Sequence, residues 1–236
     1  MTHGRLIVPA IAALAALCQP AMADLMLAGG DAKVSFSATG AVFGPPGNDV
    51  VSVIDIGADP ANPRIIADLP LMNSVFGPPT NLAITPDESL ALVANAMNWT
   101  EGDDGWKPSP HNQIHVVDLT LDPPRTIDTL TVGRQPSGLA ISRDGKMALV
   151  AYRADNGIGV LEIDGKSVRL VQTLEMGEQV AAVAITPDGN RALVAKFPGH
   201  KIAVLDIENG RISHDPALDM PVGQWPYNIK ISPDGT

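Results

Sequence analysis

Two short motifs alternate along this chain with a common period, and this restricts the fold more than any other feature. The first reads Ile84-Thr-Pro-Asp-Glu-Ser-Leu-Ala-Leu-Val-Ala-Asn95, Ile141-Ser-Arg-Asp-Gly-Lys-Met-Ala-Leu-Val-Ala-Tyr152, Ile185-Thr-Pro-Asp-Gly-Asn-Arg-Ala-Leu-Val-Ala-Lys196 and Ile231-Ser-Pro-Asp-Gly-Thr236, with leading isoleucines 57, 44 and 46 residues apart. The second reads Val51-Ser-Val-Ile-Asp55, Ile114-His-Val-Val-Asp118, Ile158-Gly-Val-Leu-Glu162 and Ile202-Ala-Val-Leu-Asp206, with acidic ends 63, 44 and 44 apart. A period of this size marks an array in which each copy is one supersecondary unit.

Each motif has the form of a strand, an apolar run bounded by turn residues. In the central copy Leu139-Ala-Ile141 leads into Arg143-Asp-Gly-Lys146, whose glycine accepts a positive φ without steric cost. Residues 147–151 return, 157–163 follow after a short loop, and Asp164-Gly-Lys166 turns into 168–174. Four antiparallel strands in about 40 residues make one propeller blade, and a blade must stack on neighbours to bury both faces. The expected fold is therefore all-β, a β-propeller of four-stranded antiparallel blades. Blade 1 is expected over 24–72, blade 2 over 79–132, blade 3 over 136–176 and blade 4 over 180–222, with a fifth beginning at 226–236. Residues 25–29 stand at the second-strand position, so blade 1 is expected to lack its inner strand. The last residues open a hairpin with no return strand, which predicts a fragment of about four and a half blades.

Residues 1–23 are read as a signal peptide. Arg5 precedes an apolar run over 6–17, too short to span a bilayer stably, and Ala21-Met22-Ala23 offers a small-x-small cleavage pattern. The expectation is a periplasmic or secreted protein with no stable membrane anchor after cleavage. Cys18, the only cysteine, lies in that segment, so the mature domain has no disulfide, thiol nucleophile or cysteine-bound metal. A net charge of −10 argues against a nucleic-acid partner. No Cys-x-x-Cys-His, Walker loop, serine elbow or zinc-binding helix motif is present, and neither a cofactor nor a metal is expected.

The pattern of an opening proline, an apolar triplet, Ser/Thr-Pro-Asp-Gly and Leu-Val-Ala-Asn resembles the YVTN-repeat β-propellers across nearly all of 24–236. Leu92-Val-Ala-Asn95 stands where that family writes Tyr-Val-Thr-Asn; Pro79, Pro136 and Pro226 match its proline, and Val180 departs from it. The resemblance implies seven blades. It is to lactonase-like propellers and to the d1-haem propellers of periplasmic nitrite reductases. It speaks for fold more than for activity, which on a propeller resides in loops.

With blade strands lettered A to D from the axis outward, A–B and C–D turns share one face, and B–C and D–A connections share the other. The B–C stretch 96–112 exceeds its blade 3 counterpart by 13 residues, and 30–48 is also long. Insertions on one face mark the binding face of an array. The 96–112 stretch holds Trp99, Glu101, Asp103, Asp104, Trp106, Lys107 and His111. Its tryptophans suit recognition, or they pin a long loop to the blades. Candidate ligand-binding residues on this face are Asn95, Trp106, His111, Arg134, Arg153, Asp155, Lys196, His200, Trp225 and Tyr227. Arg134, Arg153 and Lys196 suit an anionic or carbonyl-bearing ligand. His115 is read as a packing residue within a strand. The expected function is an exported binding or interaction protein that takes a small molecule or protein partner on this face. The alternative is a lactonase-type hydrolase at the channel mouth using His200 and Asp155. A second alternative, a periplasmic redox-associated propeller, rests on the resemblance.

Overall fold

Apart from one 3-10 turn at Pro216–Leu218, every regular element among the described residues is a strand. The computed structural model describes residues 24–73, 80–103, 105–232 and 234–235. The expected signal segment, Pro79 and Asp104 lie outside them. β1 (Leu25–Gly30) is followed by a hairpin of β2 (Val34–Ser37) and β3 (Gly40–Phe43), then by β4 (Val50–Asp55) and β5 (Arg64–Leu69). These form a three-stranded antiparallel sheet in the order β1-β4-β5, with β2–β3 a separate ribbon.

The next sheet is β6 (Leu82–Ile84), β7 (Leu90–Gly102), β8 (Gly105–Asp118) and β9 (Arg125–Thr131). β10 (Pro136–Ile141), β11 (Met147–Tyr152), β12 (Gly157–Asp164) and β13 (Ser167–Glu175) follow in the same order. The last sheet is β14 (Val180–Ile185), β15 (Arg191–Lys196), β16 (Lys201–Glu208) and β17 (Arg211–His214). In this sheet the outer strand is cut short. After the 3-10 turn, β18 (Met220–Pro221) takes over the pairing with β16 opposite Lys201 and Ile202. Residues 226–232 form no strand.

The core lies between successive blades, as expected when each sheet is apolar on both faces. Alternation along β11 divides it: Leu149 and Ala151 belong to the layer toward the β14–β17 sheet, while Ala148, Val150 and Tyr152 belong to the layer toward the β6–β9 sheet. A third layer joins Val51 and Val53 to Ala91, Val93 and Val117. The first strands converge at the axis so tightly that a Cβ on Gly138 would lie 2.5 Å from the Ala182 Cα, which only glycine avoids. Polar ties reinforce the stack. Gln172 reaches across to the next blade, donating to the Ile212 carbonyl (2.8 Å) and accepting from its N–H (2.9 Å). Lys166 reaches back to Asp118 (2.7 Å).

The A–B turns are near-copies of one another. Thr85, Ser142 and Thr186 donate to Asp87, Asp144 and Asp188 at 2.7, 2.6 and 2.5 Å. Each hydroxyl also accepts the N–H that opens the return strand, from Leu90, Met147 and Arg191 (3.0, 3.0 and 3.1 Å). The hydroxyls, then the N–H groups of Ser89, Lys146 and Asn190, hold these three carboxyls below the ordinary 3.8.

The stretch 96–112, expected as a loop, is mostly strand. β7 and β8 run on past the blade, pairing Met97 with Pro110 through to Gly102 with Gly105. Trp99 anchors this extension: its indole is 4% exposed and lies 5.0 Å from the Phe43 ring. The segment 30–48 likewise contains the β2–β3 ribbon in place of a plain loop.

Candidate functional site

Where each blade's connections meet on the face opposite the A–B turns, backbone bonds tie them together. Gln135 donates to the His111 carbonyl (2.6 Å), Arg153 to Gln135 (3.0 Å), Phe197 to Gln179 (3.1 Å) and Val222 to His200 (2.9 Å). The side chains mounted on these ties differ from blade to blade.

On the β14–β17 blade they form an aromatic platform. Phe197 lies 5.0 Å from Trp225 and 5.3 Å from Tyr227, ring centre to ring centre, and the His200 imidazole meets Trp225 edge-on at 5.0 Å. The Arg153 guanidinium, from the preceding blade, sits 5.6 Å over Phe197 and 5.5 Å over Tyr227, within cation–π range. His200 and Trp225 both have left-handed backbones, with φ of 56° and 57°. Asn156 (φ 53°), 44 residues before His200, and Gln135 (φ 57°), which precedes Pro136 as Trp225 precedes Pro226, share this conformation, so it belongs to the repeat's connections. Here the Trp225 N–H donates to His200 Nδ1 (3.1 Å), locking the two together. Trp225 remains 53% exposed and Tyr227 36%.

The structure thus brings together four predicted residues, Arg153, His200, Trp225 and Tyr227, around one the sequence reading passed over, Phe197. A signal for it existed: Phe197 stands 44 residues after Arg153, at the same place in the repeat.

The remaining candidates are committed elsewhere. Lys196 is not a mouth cation. It is 4% exposed and paired with Asp219 (2.8 Å) and Glu178 (3.1 Å), while His214 also bonds Asp219 (2.7 Å). Burial pulls the Lys196 amine down, but Asp219 and Glu178 outweigh it and the net shift is upward. Arg134 spends its charge on Asp155, to which its backbone N–H (2.6 Å) and Nε (2.7 Å) both donate. Burial raises the Asp155 carboxyl, yet the two Arg134 bonds leave it below the ordinary range. Trp106 lies on the β8 extension opposite Glu101, half-buried and away from the platform's ring contacts. His111 is partly buried and its imidazole is depressed by desolvation. Asn95 is fully buried. Among the described residues no cluster of three or more His, Cys, Asp or Glu side chains could hold a metal. Two clefts, of 670 and 650 Å³, lie at the other end, between neighbouring turns carrying Asp87, Asp144 and Asp188.

No known sequence family and no characterised protein sequence matches the chain. Solved structures do. Hydrazine synthase of Kuenenia stuttgartiensis aligns at a TM-score of 0.56 and 16% identity, over 86% of this chain and 65% of that one. The dihydro-haem d1 dehydrogenase NirN, solved in complex with DHE, aligns at 0.57 and 21% identity, over 80% of this chain and 36% of that one. A candidate 6-phosphogluconolactonase from Bacteroides uniformis aligns at 0.50 and 16% identity, over 86% and 75%. In the first two cases the chain spans about two thirds or less of the protein it resembles. At such identities the likeness carries the fold alone, and the fold class is that of a β-propeller.

Proposed function

We propose that this chain is an exported β-propeller that binds a small molecule or a partner on its connection-rich face, at the platform of Arg153, Phe197, His200, Trp225 and Tyr227. The observation that carries this reading is the exposed ring cluster: Phe197 lies 5.0 Å from Trp225 and 5.3 Å from Tyr227, the indole is half exposed, and the Arg153 guanidinium sits over two of the rings. The rings offer rigid apolar area with few rotatable bonds, so little side-chain entropy is lost on binding. The guanidinium over Phe197 and Tyr227 adds a positive charge fixed in place. Export rests on the N-terminal segment with its Ala21-Met22-Ala23 pattern. Among the described residues no helix is long and apolar enough to cross a membrane.

Binding is favoured over lactone hydrolysis because the two groups a hydrolase would use as base are engaged. His200 Nδ1 accepts the Trp225 N–H, and Asp155 accepts both Arg134 bonds. Incubating the full chain with 6-phosphogluconolactone and simple γ- and δ-lactones, with and without divalent metals, tests this. The expected result is no turnover above the uncatalysed rate. Turnover that disappears in His200→Ala or Asp155→Asn would replace the binding reading with the hydrolase.

A further inference from the structure

Asn95 closes the regular part of β7, and among the described residues neither its Oδ1 nor its Nδ2 has a hydrogen-bond partner although the residue is completely buried. A carboxamide brings two donors and an acceptor oxygen with two lone pairs, and buried groups of this kind are almost always satisfied. It is not alone at its level. Leu82 pairs with Val93 and the Ala94 N–H donates to the Asn81 carbonyl (2.8 Å), which brings the adjoining Thr80 to the end of β7 where Asn95 stands. On the other side His115 pairs with Val93, two residues before Asn95, and its Nδ1 bonds Thr129 Oγ1 (3.0 Å), which leaves Nε2. Thr80 Oγ1 and His115 Nε2 are likewise buried and unpartnered. Ala91 and Val93 pack in the layer shared with β4, and by strand alternation Asn95 and His115 face that layer too.

The surroundings are built rather than loose. Lys33, fully buried, is gripped by Asp49 and by the Asn73 carbonyl (2.8 Å), and the Asn73 N–H donates to Asp49 (3.1 Å). This clamp fixes residues 71–73, and the Met72 carbonyl lies close enough to act on His115. At the matching positions of the next two blades the repeat supplies its own filling. The Tyr152 ring is seated against Gly133 and Gly159, and Lys196 meets Asp219 and Glu178. In the β6–β9 blade no described residue bonds the Asn95 side chain.

We propose that Thr80, Asn95 and His115 form a buried binding niche, between the β1–β5 sheet and the β6–β9 sheet, for a small neutral molecule that both donates and accepts hydrogen bonds. Water and a compact amide or alcohol share that chemistry. The donors and acceptors are all uncharged: burial, then the nearby His111, depresses His115, so the imidazole is neutral near pH 7. Buried polar groups with unmet donors and acceptors are where internal molecules bind.

Near-isosteric apolar replacements, Asn95→Leu and Thr80→Val, test the niche in the full chain. Long-lived internal water is counted by oxygen-17 relaxation dispersion, and thermal midpoints are read with and without acetamide. Wild type is expected to hold at least one more long-lived water than either variant. A wild-type midpoint that rises with acetamide, and a variant midpoint that does not, identifies the amide as an occupant. Loss of the water with no acetamide response identifies water. Equal water counts in all three proteins and no acetamide response, with Asn95→Leu melting higher than wild type, would overturn the niche. That is the result of removing a buried amide that binds nothing. Thr80→Val carries the test should Asn95→Leu not fold. None of these outcomes depends on the aromatic platform.

Discussion

The two ends of the blades are built by opposite rules. At the A–B turn end, one arrangement of hydroxyl, carboxylate and backbone N–H recurs in three blades with bond lengths that agree within about 0.2 Å. At the other end the matching positions hold Asn95, Tyr152 and Lys196, and beyond them Arg153 and Phe197, with a different fate for each. Positions that the repeat keeps alike must serve what all blades share, the turn and the stack. Positions it varies are available for a ligand, because altering one leaves the other blades intact. The contrast also explains why the two clefts at the turn end are poor candidates for the site. Their walls are the shared turn residues, and similar grooves recur between successive blades.

Four probes test this contrast, in decreasing order of effect. Lys196→Met removes the lysine of a nearly buried ion pair and leaves Asp219 with His214 as its remaining side-chain partner, which costs about 3 kcal/mol. Urea unfolding should show the loss, and a change under about 1 kcal/mol would mean that Lys196 is not structural. Ser142→Ala deletes a buried hydroxyl that both donates to Asp144 and accepts from Met147, at about 1–3 kcal/mol. Thr85→Val, at the matching turn, should lose a similar amount, and widely different losses would break the equivalence of the turns. The third probe is acid. The three turn carboxyls titrate lower folded than unfolded, so their contribution is present above the unfolded value of 3.8 and is lost as pH falls through the folded values. Melting temperature should be level near neutrality and drop below about pH 4, less steeply in Asp144→Asn. Arg134→Ala is the smallest, under about 1 kcal/mol, since its side chain is 62% exposed.

The turn end was legible in the sequence because its chemistry is local. Ser/Thr-x-Asp-Gly carries its own bonds within five residues, and the apolar runs between turns are strands wherever they fall. The ion network of Lys33, Asp49 and Asn73 joins residues 40 apart with no pattern to announce it. The β7–β8 extension was hidden for a different reason. Thr100-Glu-Gly and Gly105-Trp-Lys-Pro have turn composition, and only the burial of Trp99 against Phe43 makes them strand. At the platform, sequence supplied the aromatic and basic residues. It did not supply the partnering that removes Lys196 and Arg134 and leaves Arg153 over the rings.

The most direct test of the platform is fluorine NMR on protein carrying 5-fluorotryptophan, whose three indoles, Trp99, Trp106 and Trp225, give separate resonances. The probe is naphthalene-1-sulfonate, a flat anion suited to ring faces beside a guanidinium. The account predicts a saturable shift confined to the Trp225 resonance, abolished by Arg153→Ala and by Tyr227→Ala with melting temperature unchanged. A shift at Trp99 or Trp106 alone, or a Trp225 shift that survives both substitutions, would contradict it.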